Sequence, residues 1–407
     1  MNAFALALRN LVRQKRRTVL MGTVVAFGFA AFALAGGFMA QSFQALKEGT
    51  IRRVGHLQVV DKRAVGRAEE TTLEFGLSGA GRARAIAAAD PAVQAVLPQI
   101  DFVGLATSGG KSVPYLGVGV DPGPEAAATL AQELVVAGSY LEGDGGDGVV
   151  LGTGLASALG VQEGDAVTLM ATTPEGALNA VDAVVWGLVD VQIKELNDRY
   201  LAAGIGLVSR LLQSPETVSK LVVFLKEGTD ENAAARRLSG VLASAGYPVA
   251  LRHWRDLAVF YEQVKLLYIG IFGFVGAVLV VIVILAAAIV MTMAVTERTR
   301  EIGTLRAMGT RPSGIRNMFL AEGAVIALAG CVAGTVFALL VRAALNASGL
   351  ELPPPPGATQ GSPLHVRLYP LAYGAGLFAM VATMALASYF PARRASRVSI
   401  VEALTHV

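Results

Sequence analysis

A bilayer's hydrocarbon core takes about 20 apolar residues as helix, and four stretches of this chain meet that length. They run from Thr18 to Ala40, Leu266 to Val295, about Met318 to Val341, and about Leu368 to Phe390. The first two contain no charged residue, and the third contains one acid, Glu322. The chain is 54% hydrophobic and 16% charged, against about 25% charged in an ordinary soluble protein. These features define an α-helical membrane protein with four transmembrane helices. Residues 41–263 have ordinary mixed composition and are long enough to fold with a core of their own. The first run is also open to reading as a secretory signal, but at 23 residues it exceeds the usual apolar length of about 7–15, which favours an uncleaved anchor.

The net charge of +3 does not point to nucleic acid, because the cationic residues flank the apolar runs. Arg9, Arg13, Lys15, Arg16 and Arg17 precede the first run. Arg298, Arg300, Arg306, Arg311 and Arg316 lie between the second and third, and Arg393, Arg394 and Arg397 follow the fourth. Lysine and arginine concentrate on cytoplasmic loops. This places both termini and residues 296–314 in the cytoplasm, with 41–263 and the 342–367 loop outside. Four crossings return both termini to one side, in agreement. Residues 1–17 read as an amphipathic cytoplasmic helix, with Leu8, Leu11 and Val12 on one face, or as a bare topology signal.

The outer domain reads as α+β. Segments 54–61, 181–191 and 220–228 alternate as strands, 99–121 forms a hairpin turning at Ser108–Gly110, and 230–246 is a helix. A β-rich subdomain over 134–195 is expected within an outer frame. Pro353 to Pro356 followed by Gly357 form a stiff extended segment, which serves either as a strut or as a plain loop.

No catalytic chemistry is expected. The segment "GLATSGGKS" (104–112) resembles a phosphate-binding loop, but five residues rather than four separate Gly104 from Gly110, and no helix pattern follows. His56, His253, His365 and His406 are scattered without ligand spacing, so no metal site is expected. Cys331 is the sole cysteine. Glu322 in an apolar run marks either a substrate or proton pathway or an acid that reaches the interface or pairs with Arg316 or a neighbouring helix, since an unpaired acid in lipid is costly.

The most informative stretch is 294–330. A short charged helix follows the second run, Gly309 is placed to stop it, and Pro312 is placed to begin the next helix. Ile302, Leu305 and Met308 form an apolar stripe suited to a partner's groove. A charged connector is the alternative.

"ERTREIGTLRAMGT" (297–310), "IRNMFLAEG" (315–323) and "YFPARRASRVSIVEAL" (389–404), in this order, resemble the MacB/LolC/LolE/FtsX permease superfamily. "VVLGTGLASALGVQEGDAVTL" (149–169) and the one-plus-three helix layout are similar as well. The resemblance implies a MacB-like periplasmic core domain after the first helix. It implies a dimer of permeases, two copies or two paralogues, working in the bacterial inner membrane with two separate cytoplasmic ABC ATPase subunits. ATP and magnesium would bind those partners, leaving no cofactor and no enzyme activity on this chain. ATPase closure would then drive motion outside the membrane. The coupling residues it implies are Glu297, Arg298, Arg300, Glu301, Ile302, Leu305, Arg306, Met308 and Gly309. "GHLQV" (55–59) and "HWRDLAVFY" (253–261) resemble lipoprotein-releasing LolC/LolE permeases. That implies release of lipoproteins or lipids, with a periplasmic carrier and an acyl-chain surface near Phe38, Phe43, Phe260 and Tyr261. MacB-like efflux of drugs or peptides, and FtsX-like control of a cell-wall hydrolase, are the alternatives.

Overall fold

The computed structural model describes residues 15–66, 73–354, 357 and 359–397. The amphipathic helix expected over 1–17 therefore lies, up to residue 14, outside the described residues. So do 398–407 of the expected cytoplasmic tail, and Pro355 and Pro356.

In chain order the elements are α1 (Lys15–Val54), β1 (Leu57–Asp61), α2 (Ala80–Ala88), β2 (Val93–Ser108), β3 (Lys111–Val120), α3 (Pro122–Thr129), β4 (Val135–Gly138), β5 (Gly148–Gly152), α4 (Thr153–Leu159), β6 (Ala166–Thr172), β7 (Leu178–Val189), β8 (Tyr200–Gly204), α5 (Ile205–Leu212), β9 (Lys220–Leu225), α6 (Glu231–Ser244), β10 (Val249–His253), α7 (Val259–Glu297), α8 (Thr299–Ala307), α9 (Pro312–Ser348) and α10 (Pro370–Ala395). They form two compact units. One holds α1 up to Ala45, Gln263–Glu351 and the chain from Pro363; the other holds Leu46–Glu262 and Leu352–Ser362.

The second unit is built on a frame. Its sheet runs β10-β1-β9-β2, all antiparallel, with α2 and α6 packed on each other. This is the β-α-β-β-α-β arrangement of a ferredoxin-like fold. The strands are short apolar runs, and Leu57, Val59, Val96, Leu221 and Val223 are buried together with Ala234, Leu238 and Leu242 of α6. Asp230 caps α6, its carboxylate accepting from the Asn232 and Ala233 amides at 2.9 and 3.2 Å. Arg237 of α6 donates to both oxygens of Asp90, beyond α2, at 2.9 and 3.1 Å.

β2 is sixteen residues long and serves two structures. Its first half pairs with β9. Its second half pairs with β3 on one side, Gln99 to Ser108 against Val120 to Lys111, and with β6 on the other, Gly104 to Thr107 against Ala171 to Thr168. From β3 the pairing continues to β8, β5, β7 and back to β6. Six strands thus close a ring, which leaves no free edge within it. Tyr115, Val149, Leu151, Leu169, Val185 and Leu201 belong to its buried core. The inserted structure is wider than the 134–195 subdomain expected from sequence, because the ring needs β2, β3 and β8 to close. The 104–112 segment is the β2–β3 hairpin.

The Pro-rich segment is fastened within this unit. The Lys194 amide donates to the Gly357 carbonyl at 2.8 Å, the Thr359 amide to the Gln192 carbonyl at 3.1 Å, and the Thr359 hydroxyl to Asp190 at 2.6 Å. Of the two readings open from sequence, a free loop does not describe these residues.

In the first unit, α1, α7, α9 and α10 are long and apolar enough to cross a bilayer. At 40, 39 and 37 residues, α1, α7 and α9 are nearly twice the necessary length, so the expected spans lie inside longer helices. With no hydrophobic gain from burying one apolar helix against another in lipid, close approach decides packing. Gly323, Ala327, Gly330, Gly334 and Ala338 form a buried stripe on α9. A Cβ at Gly334 would sit 2.6 Å from the Ala26 carbonyl oxygen of α1, so only glycine fits this approach.

One carboxylate of the second unit sets a pH response. Glu125 of α3 lies beside Tyr140 and Tyr200, and its Oε2 is buried. Burial pushes the carboxyl up to about 7. An unfolded glutamate ionises at about 4.3. Between these values the folded chain holds a proton that the unfolded chain has lost, so stability falls as pH rises through this window. The melting temperature of the full chain should drop from pH 5 to pH 7.5, and Glu125→Gln should flatten that contribution. An unchanged slope in the variant would remove Glu125 from the account.

Candidate functional site

The apolar run of α7 ends at Glu297, and Arg298 leaves the helical region at φ −110°, ψ 16°. The chain bends there into α8. Gly309, at φ +91°, ends the short helix: its amide donates to Arg306 and the Thr310 amide to Leu305, at 3.0 and 3.1 Å, which is a Schellman stop. Pro312 then occupies the first turn of α9.

Arg298 is the centre of this joint. It is 6% exposed and donates to Glu301 and to Glu322, each at 2.9 Å. Its guanidinium lies over the Phe319 ring, 5.7 Å from the centroid. Glu322 is 5% exposed, so the acid in the third apolar run is a paired buried carboxylate. Around the pair, Ala294 and Val295 of α7, Ile302 of α8, Ile315, Met318 and Phe319 of α9, and Ala392 and Ala395 of α10 form one cluster, with Leu305 packed against it. Arg17 of α1 donates to Glu297 at 3.1 Å.

Ile302 and Arg298 were both expected among partner contacts. Both face the chain's own interior, Ile302 at 1% exposure, because their helical face is the one turned to α9. Leu305 and Arg306 are half-buried. The open face of α8 carries Arg300, Glu301, Thr304, Ala307 and Met308, with Gly309 at its end. Arg300, Thr304 and Met308 follow at i, i+4 and i+8, and Met308 is 71% exposed. Glu297 is exposed at the end of α7.

Of the four aromatics expected to form one surface, Phe38 and Phe43 belong to the first unit and Tyr261 to the second. Phe38 and Phe43 of α1 meet Phe272 and Tyr268 of α7, each pair at 6.1 Å, and Tyr268 meets Phe272 at 6.1 Å. This makes a half-buried ladder of four rings. Tyr261 packs on Trp254 in the other unit, 5.1 Å between centroids. The Phe260 side chain lies outside the described residues. Tyr268 and Phe272 went unnoticed in the sequence, although their i, i+4 spacing within the second apolar run is a visible signal.

The fold and this joint define an integral-membrane helical unit with an α/β domain inserted after its first helix and a charged helix between its second and third. Residues 273–400, which contain the joint, match the FtsX-like permease C-terminal family. It is 36% identical over 137 residues to the ABC transporter permease YtrF of Bacillus subtilis, covering 32% of this chain and 31% of that protein. It is 28% identical over 282 residues to the lipoprotein-releasing system transmembrane protein LolC of Neisseria meningitidis, covering 63% of this chain and 65% of that protein. A LolC of Xylella fastidiosa is 26% identical over 79% of this chain and 80% of its own length. The matches thus span about a third of YtrF and just under two thirds of the Neisseria LolC.

The buried pair yields a direct test. Removing one partner of a buried ion pair typically costs about 3–5 kcal/mol, whereas replacing both by apolar groups is close to neutral. Arg298→Met should lower the melting temperature of the detergent-solubilised chain sharply. Adding Glu322→Leu should restore most of the loss. If the double variant melts no higher than the single one, the pair is not what ties the joint.

Proposed function

We propose that the chain is the permease subunit of an ABC transporter, paired in the inner membrane with a second copy or paralogue and served by two cytoplasmic ATPase subunits. The observation that carries the reading is α8: a short exposed helix fixed by a buried ion pair to the ends of α7 and α9, within the FtsX-like domain. ATP and magnesium belong to the ATPases. The arginines at 298–316 and 393–397 and the basic residues before the first apolar run support a cytoplasmic place for this end of the helices, with the α/β domain outside. Closure of the ATPases pushes α8, and because α8 shares a core with α7 and α9, the helices move with it. Lipoprotein or lipid release is the finer reading. It is supported by similarity to LolC over most of the chain and by the ring ladder of Phe38, Phe43, Tyr268 and Phe272, an apolar surface of the kind an acyl chain would use. A periplasmic carrier would accept the released cargo.

Met308 replaces Ile302 as the anchor to test. An exposed apolar anchor that becomes buried at an interface is commonly worth more than about 1–2 kcal/mol, and a charge placed there is desolvated without a partner. Met308→Glu should abolish co-purification of the ATPase and substrate-stimulated turnover while leaving the melting temperature of the permease unchanged. Full complex and turnover in this variant would make α8 only a connector.

The cargo is tested at the ring ladder. A photocrosslinking amino acid replacing Phe43 should capture a lipoprotein in cells, and the yield should fall when its acylation is blocked. Capture of a soluble peptide or an adaptor protein instead would favour efflux.

A further inference from the structure

After Lys265 the chain contains no lysine, and the fixed cations beyond it are all arginine. Topology alone does not require this, since lysine and arginine serve equally in cytoplasmic loops. Arginine differs in presenting a planar fork that binds phosphate in two-pronged fashion and is less strongly hydrated than an ammonium.

The fold gathers four of these arginines. Arg306 of α8, Arg316 of α9, and Arg393 and Arg397 at the end of α10 line one groove of about 400 Å³, together with Ser313 and Ser396. The N-terminus of α9 opens at the same place, and its dipole favours an anion there. An adjoining space of about 530 Å³ shares Arg393 and Arg397 and adds Arg394 and the ring of Phe390, which is 73% exposed. Among the described residues, Arg316, Arg393, Arg394 and Arg397 meet no carboxylate within ion-pair distance. Like charges gathered in one groove repel one another, so the arrangement favours a bound anion.

Depth decides which anion. Arg393 follows the apolar span of α10 by less than one turn, and Phe390 is the last apolar residue of that span. The groove therefore opens where the hydrocarbon core gives way to headgroups, whichever face of the membrane this end occupies. A ligand fitting it carries a phosphate for the guanidinium forks and apolar chains for Phe390. We propose that the groove binds the headgroup phosphate of an anionic glycerophospholipid. Basic pockets at helix ends hold such headgroups, and each cation near the surface adds to the attraction.

The site is tested on the full chain, purified in detergent, stripped of lipid and offered equimolar phosphatidylglycerol and phosphatidylcholine with identical acyl chains. Native mass spectrometry reads what stays bound. Phosphatidylglycerol should be retained about tenfold or more over phosphatidylcholine. Arg393→Gln with Arg397→Gln should abolish the preference, and Arg393→Lys with Arg397→Lys should keep part of it. The wild-type measurement stands without any variant: equal retention of the two lipids overturns the proposal. So does an unchanged preference in the glutamine variant, or displacement of phosphatidylglycerol by an equal concentration of inorganic phosphate, which would make the groove a site for free phosphate. Loss of ATPase co-purification in the glutamine variant with lipid preference intact would assign the groove to that partner's acidic surface and equally overturn it.

Discussion

The ion pair of Arg298 with Glu322 sets what this membrane unit can do. Each ion would cost several kcal/mol to bury alone, and near hydrocarbon neither finds water as an alternative partner. The two charges are stable only while the end of α7, the start of α8 and the first three turns of α9 hold one geometry. Glu301 and the Phe319 ring occupy two further sides of the guanidinium, leaving it little freedom to re-pair. The turn between α7 and α8 is therefore a fixed corner and not a hinge. A displacement imposed on α8 is carried into α7 and α9.

What that corner moves follows from how the helices pack. α9 and α10 bury faces along most of their length, and α1 meets α9 through glycines that bring backbones into contact. Among the described residues of α7, those buried are Val283, Ala287, Met291, Ala294 and Val295, all in its C-terminal part. Toward its other end Leu266, Ile271, Phe274 and Val281 are exposed, and the ring ladder to α1 supplies the contacts. Ring contacts of this kind are worth about 0.5–1.5 kcal/mol each, much less than the packed joint. α7 is packed at the corner and largely exposed beyond it.

The four membrane helices were legible because hydropathy reports the thickness of the hydrocarbon core. Their true lengths were not, because α1 beyond Ala40 is polar yet contains no proline, and nothing in it stops a helix. The hairpin at 108–110 was legible from local turn residues. The closed ring was not, since it depends on β2 pairing with β6 some sixty residues away, and strand partners at such separation leave no local mark. The joint was half legible. Gly309 and Pro312 announced the end of α8 and the start of α9, and Glu322 stood out as an acid among apolar residues. Its partner could have been narrowed by angle. Arg316 lies six residues before Glu322, about 240° around a helix of 3.6 residues per turn, whereas Ile315, Met318, Phe319 and Glu322 share one face.

The same geometry divides the α8 stripe, burying Ile302 and leaving Met308 exposed. A nine-residue helix with apolar residues at 302 and 305 must bury them somewhere, and amphipathicity does not say whether the cover is another chain or its own. Here the flanking helices provide it: Ile302 is buried among residues of α7, α9 and α10, and Leu305 packs against them. What remains open to a partner is the opposite stripe, in which a single methionine stands among polar residues. Methionine is flexible and polarisable, and it fits a groove whose shape changes between states better than a branched side chain does. An ATPase that opens and closes would present such a groove, so an anchor of this type is consistent with a contact maintained through the motion.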